Sequence, residues 1–102
     1  MDLDGLLLLV AFRHQCREAD SAAGQGQVEA IVGRQIDPAE FAAAVRRLTT
    51  GGLIHDPVFL PAGALQCQWR LEPTPDGVAA VQAMMRERSM SADALIVSCA
   101  AG

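Results

Sequence analysis

The apolar positions change rhythm several times along the chain, and each change marks an element. Residues 6–12 read LLLLVAF, a run too continuous for one face of a surface helix. A helix that is apolar on more than one side is packed on more than one side. The run therefore predicts a central first helix, beginning at Asp2 or Asp4 and ending at Glu18. Asp2 and Asp4 stand where a helix favours carboxylates, and Arg13 and Arg17 lie toward the end that favours cations. Residues 19–26 (ADSAAGQG) are small, polar and glycine-containing, which predicts a loop. Val28, Ile31 and Val32 then fall at i, i+3 and i+4, predicting a short helix over 27–34. Ile36 is expected to plug the core from the turn that follows.

Asp37-Pro38-Ala39-Glu40 is the sharpest local signal. Asp at the N-cap accepts from an orphan amide, Pro suits the first helical position, and Glu40 falls at the capping-box position. Phe41, Ala44, Val45 and Leu48 follow at i, i+3, i+4 and i+7, an amphipathic third helix. Gly51-Gly52 ends it, with one glycine left-handed. Val58-Phe59-Leu60 and the alternating segment 65–71 are expected to form a hairpin across a Pro61-Ala62-Gly63-Ala64 turn. The alternation predicts Leu65, Cys67, Trp69 and Leu71 inward, and Gln66, Gln68 and Arg70 outward. Thr74 as N-cap and Pro75 at the first position start a last long helix carrying Val78, Val81, Met84 and Met85. The tail holds the apolar stretch Ala94-Leu95-Ile96-Val97, expected to extend that helix after a break or to pack on another subunit.

The expected fold class is mainly α with a small antiparallel β-hairpin, an α+β arrangement. A length of 102 residues allows one domain, read as 1–90 with a tail over 91–102, and excludes dinucleotide-binding and barrel enzymes. A hydrophobic fraction of 51% supplies a core and excludes disorder. A domain this small buries only about 65% of its unfolded surface, so a partner chain is expected to contribute to its stability. Twelve acidic residues against eight arginines give a net charge of −4. Lysine, asparagine and tyrosine are absent while alanine occurs 18 times. The codons of the missing three begin with two A/T bases, so the source reads as a GC-rich bacterium and the lack of lysine as mutational bias.

The cysteines Cys16, Cys67 and Cys99 are odd in number and form no CxxC pair, which indicates neither a disulfide framework nor a zinc knuckle. A reduced cytoplasm is the expected compartment. The run at 6–12 is shorter than the ~20 residues of a membrane span, and a chain opening Met-Asp-Leu-Asp lacks the basic start of a secretory signal. His14 and Cys16, two apart, and the lone His55 read as unrelated surface residues rather than metal ligands. No nucleophile–base pair, paired carboxylates, phosphate-cradling glycine loop or metal spacing is present. An enzyme is not expected, and no catalytic residue, metal or cofactor is assigned.

Helix, short helix, capped helix, Gly-Gly, hairpin, helix is the order of a helix-turn-helix followed by a wing. Two stretches carry the likeness: Val45-Arg46-Arg47-Leu48-Thr49-Thr50-Gly51-Gly52-Leu53-Ile54, and Trp69-Arg70-Leu71 with Thr74-Pro75-Asp76-Gly77. The chain resembles the winged helix-turn-helix superfamily, most closely MarR- and PadR-like regulators, over roughly residues 3–90. Glu72-Pro73 interrupts the second stretch, a departure from the family pattern.

The resemblance implies a homodimeric, DNA-binding transcriptional regulator whose third helix enters the major groove. The matching positions on that helix are Ala39, Glu40, Ala42, Ala43, Arg46 and Arg47; Thr49 and Thr50 would join the arginines on phosphate, and Gln66, Gln68 and Arg70 would face outward on the wing. It also implies a dimer interface between first and last helices, with Leu6, Leu7, Val81, Met84, Met85, Leu95 and Ile96 as candidates. The charge pattern weighs against DNA. Between residues 28 and 70, four arginines (34, 46, 47, 70) meet four acids (29, 37, 40, 56), so no basic stripe is evident. The alternative is a winged helix used for protein–protein contact or as a subunit of a larger assembly.

Overall fold

The computed structural model describes residues 3–101. Its centre is α1, Leu3–His14, in which Leu6 through Ala11 are all buried. Three further helices pack on it: α3 (Pro38–Thr50), α4 (Pro75–Arg88) and α5 (Ala92–Ala101). The helix that is apolar on several sides is thus covered on several sides. It ends four residues sooner than the sequence predicts, and Asp2 lies outside the described residues. Gln15 takes the left-handed region at φ 50° and turns the chain into β1, Cys16–Glu18. A strand wins here because β3 (Gln68–Leu71) offers a free edge: Cys16 pairs with Leu71, Arg17 with Arg70 and Glu18 with Trp69. Cys16 and Leu71 turn into the core while Arg17 stays exposed, the alternation of a half-buried strand.

The segment expected as a loop is helical. α2 runs Ser21–Val32, capped by Asp20, whose carboxylate accepts from the Ala23 amide at 2.8 Å. Its two internal glycines each cost about 1 kcal/mol of helix propensity, and a tertiary contact explains one of them. A Cβ on Gly24 would lie 2.2 Å from Cε3 of Trp69, so the indole is seated directly on the helix backbone. Gly33, left-handed at φ 77°, ends α2. The Glu29 carboxylate accepts from the Ile36 amide, and the Gln25 side chain donates to the Ile36 carbonyl, both at 2.7 Å. Those bonds hold Ile36 in the core from the turn, as expected.

α3 begins as the sequence predicts, with the Asp37 carboxylate accepting from the amides of Ala39 and Glu40 at 3.1 Å. It stops at the glycine pair, where Gly52 has φ 74°. β2, Val58–Phe59, and β3 form the hairpin, and the sheet order is β1-β3-β2, antiparallel throughout. β3 is shorter than the alternation predicts: only Trp69 and Leu71 of the four inward candidates are buried, whereas Leu65 is 99% exposed and Cys67 is exposed. Pairing stops at Phe59 opposite Gln68. Beyond it the Pro61–Ala64 turn, closed by the Ala64 amide on the Pro61 carbonyl, leaves residues 65–67 without a strand partner or a core beneath them.

Glu72 and Pro73 are accommodated without disturbing α4. Pro73 forms a bridge with Ile54, and the Thr74 hydroxyl caps α4 by accepting from the Gly77 amide at 3.1 Å. The tail is α5, built into the same core through Ala92, Leu95 and Ile96 and pinned by the Arg13–Asp93 ion pair at 2.9 Å. The whole is mainly helical with a three-stranded antiparallel sheet, an α+β fold whose element order is compatible with a winged helix.

The glycines of α2 give opposite expectations. Gly24→Ala forces Trp69 to move and should destabilise the fold by about 1–3 kcal/mol. Gly26, with open space where its Cβ would be, should gain about 0.5–1 kcal/mol as alanine. Thermal melts of the two variants check this; a Gly24→Ala protein as stable as the parent would refute the packing account.

Candidate functional site

The face made by α3 and the hairpin is where the sequence places a binding surface. Between α2, α3 and β2–β3 lies a groove of about 510 Å³. Phe41 and Val45 of α3, Val58 of β2 and Trp69 of β3 give it an apolar lining, Gln25 and Thr49 add polar atoms, and Arg46 is its one charged residue. Phe41 and Trp69 stack in a tilted pair, centroids 6.1 Å apart, and fix its floor. No carboxylate lines it. A second recess, about 490 Å³, lies on the other flank of α3 between Leu3, Ala39, Glu40, Ala43 and Arg47.

The candidate DNA contacts are placed as follows. Ala39, Glu40, Ala42, Arg46 and Arg47 are exposed along α3, and Ala43 is half-buried. Arg47 is tied to α1: its Nε and Nη2 reach the Asp4 carboxylate at 2.8 and 2.7 Å. Thr49 is turned inward, its hydroxyl donating to the Val45 carbonyl at 2.8 Å. Arg46 makes no hydrogen bond or ion pair with the described residues. At the start of α3 the exposed side chains are acidic, Asp37 and Glu40.

The wing candidates do not join that face. Val58 pairs with Trp69 on the groove side, so Phe59 and its partner Gln68 point to the other side of the sheet. Arg70 shares that outer side with its cross-strand partner Arg17. Both guanidiniums lie over the Phe59 ring, at 4.7 and 5.4 Å from its centroid. Arg70 also donates to the Asp56 carbonyl at 3.0 Å, and Arg17 pairs with Glu72. Gln66 is exposed in the hairpin loop. The candidates therefore divide between α3, the outer face of the sheet and the hairpin loop.

The dimer-interface candidates need correction. Leu6, Leu7, Val81, Leu95 and Ile96 are core residues of a single chain, none more than 5% exposed. They are packed by α1, α4 and α5 of the same chain and are unavailable to a partner. Met84 and Met85 are half-buried against that core. What the sequence reading missed is the apolar exposure on the hairpin: Val58 at 62%, Leu60 at 60% and Leu65 at 99%. The available signal was the absence of any Asp, Glu, Arg or His from residue 57 to 69.

Among the described residues no three His, Cys, Asp or Glu side chains converge to hold a metal ion, and no helix is long and apolar enough to cross a membrane. Comparison with protein-family models, with curated proteins and with solved structures finds no match to this chain.

Two titrating groups register the packing. Hydrogen bonds from Arg47, against a smaller opposing effect of burial, hold the Asp4 carboxyl below its ordinary 3.8. A carboxyl depressed in the fold stabilises above its unfolded value and loses that contribution as the pH falls through the folded one. Asp4→Asn should therefore cost on the order of 0.5–1 kcal/mol near neutrality, and the gap from the parent should close at low pH in urea titrations. Burial, with Glu18 adding to it, pushes the Cys16 thiol up to about 11. A maleimide at neutral pH should label exposed Cys67 well before Cys16, with the protection lost in denaturant.

Proposed function

We propose that this chain is a winged helix-turn-helix domain that acts as a protein-interaction module through its α3–hairpin face. The observation that carries the reading is the state of the cations there. Arg47 is bound to Asp4, and Arg17 and Arg70 are engaged on the opposite side of the sheet. Of the arginines in 28–70, Arg34 in the turn before α3 and Arg46 make no ion pair with the described residues, and Arg46 stands beside a groove of apolar lining and a hairpin with three exposed large aliphatic side chains. Affinity for nucleic acid comes largely from neutralising several phosphates, and two guanidiniums neutralise at most two. An exposed apolar patch rimmed by polar residues marks a surface that protein covers.

The second reading is a DNA-binding transcriptional regulator acting as a homodimer. It is favoured by the connectivity, helix, strand, helix, helix, then a two-stranded ribbon whose last strand pairs with the first. In that reading the exposed positions of α3 enter the major groove and Arg46 is the principal phosphate contact.

Fluorescence anisotropy of a labelled duplex library, titrated with the chain at about 50 mM salt, separates the two. The expected result is no saturable binding at micromolar protein. Binding that weakens steeply with salt and falls at least tenfold in Arg46→Ala would overturn the protein-interaction reading in favour of the regulator.

A further inference from the structure

The outer face of the sheet carries chemistry that the α3 face does not use. Arg17 of β1 and Arg70 of β3 are cross-strand partners, and like charges set directly opposite one another repel. The fold holds them together all the same. Both guanidiniums lie over the Phe59 ring of β2. Arg17 is fixed through Nε by the Glu72 carboxylate, and Arg70 through Nε by the Asp56 carbonyl. Each bond uses the Nε donor alone, so the Nη donors of both arginines have no hydrogen-bond partner among the described residues. Arg47 differs in this respect, closing on Asp4 through Nε and Nη2 together. Gln68, opposite Phe59, extends the same face and is exposed.

We propose that this face is a docking site for an acidic protein segment, one carboxylate of which accepts from the Nη donors of Arg17 and Arg70 together. Charge selects the occupant. Asp56 meets Arg70 through its carbonyl, so two guanidiniums face the Glu72 carboxylate and leave an excess of a single positive charge. One carboxylate balances that excess. A phosphomonoester brings about two negative charges and meets Glu72 as well. A nucleobase stacks on the flat of an aromatic ring, and here the guanidiniums already lie over it. Shape selects a chain over a small molecule. Neither recess beside α3 includes Arg17, Phe59 or Arg70. The site is an open face, on which a free carboxylate stays in water while a segment laid across it also covers Phe59 and Gln68. Both arginines are held in place before binding, which lowers the ordering cost. The site lies across the sheet from the α3 groove and does not depend on what that groove takes.

The side-chain Nε–Hε signals of the arginines, followed by NMR during titration with an end-blocked tetraglutamate peptide, test this. At about 150 mM salt, charges elsewhere on the chain are screened beyond ~8 Å. Saturable shifts are expected, largest at Arg17 and Arg70, with a Kd of about 1 mM or tighter and none with tetraglutamine. Arg17→Gln should weaken binding roughly tenfold. Arg86→Gln, which removes the same charge from an exposed position of α4, should leave it unchanged. Glu72→Gln, which lifts the opposing charge, should tighten it. Arg17 is exposed, so the melting temperature of its variant should stay within a few degrees of the parent. No saturation, shifts spread evenly over the exposed arginines, equal effects of Arg17→Gln and Arg86→Gln, or no tighter binding in Glu72→Gln would each overturn the proposal. So would tighter binding of inorganic phosphate or of an octathymidylate at the same two side chains, which would assign the face to phosphate. None of these results bears on the reading of the α3 face.

Discussion

Trp69 seated on Gly24 is the contact on which the rest of this molecule depends. The strands of the hairpin contain two and four residues, and a ribbon that short does not hold itself in water. It is held because the indole, 2% exposed, lies against the bare backbone of α2 and beside Phe41 of α3. Once Trp69 is placed, Leu71 follows two residues later into the core opposite Cys16, and β1 has its partner. The same ring lines the groove, so one side chain both closes the fold and shapes the recess between α2, α3 and the hairpin.

Arginine does a second kind of work. Arg47 joins α3 to α1 through Asp4, Arg13 joins α1 to α5 through Asp93, and Arg17 joins β1 to the end of β3 through Glu72. Exposed pairs of this kind contribute about 1 kcal/mol or less each, so they add little to stability. Their larger consequence is that each sets a carboxylate beside a surface guanidinium and offsets its charge there. The chain has eight arginines, and these pairs tie three of them, still more than half exposed, to carboxylates of neighbouring elements.

What was legible in the sequence was what is local. Asp37-Pro38 and Thr74-Pro75 cap helices because a cap is decided by the residue and the next three amides. The end of α3 at Gly52 and the buried stripe of Phe41, Ala44, Val45 and Leu48 were readable for the same reason. The start of α2 was not, since two glycines argue against a helix until Trp69 is known to lie on one of them. Nor was β1, whose three residues become a strand only because β3 is beside them. Alternation at 65–71 was read as burial, but period two fixes only relative side, and burial needs something beneath the strand. For the site, the exposed positions of α3 could be read. The engagement of Arg47 by a residue 43 positions away could not.

That last point decides how the surface should be weighed. A count of arginines along 28–70 suggests a face that is neutral on average, with charges free to act. The fold instead sorts them by side. Arg70 and Arg17 lie over Phe59 on the outer face of the sheet, while Trp69 and Val58 face the groove. Arg46 and the Arg17–Arg70 pair therefore lie on different sides of the sheet, and the hairpin between them ends in an uncharged loop with Leu60 and Leu65 exposed. Pressing aliphatic side chains against a polyanion desolvates phosphate without compensating it. Against another apolar surface the same side chains are the source of the binding energy.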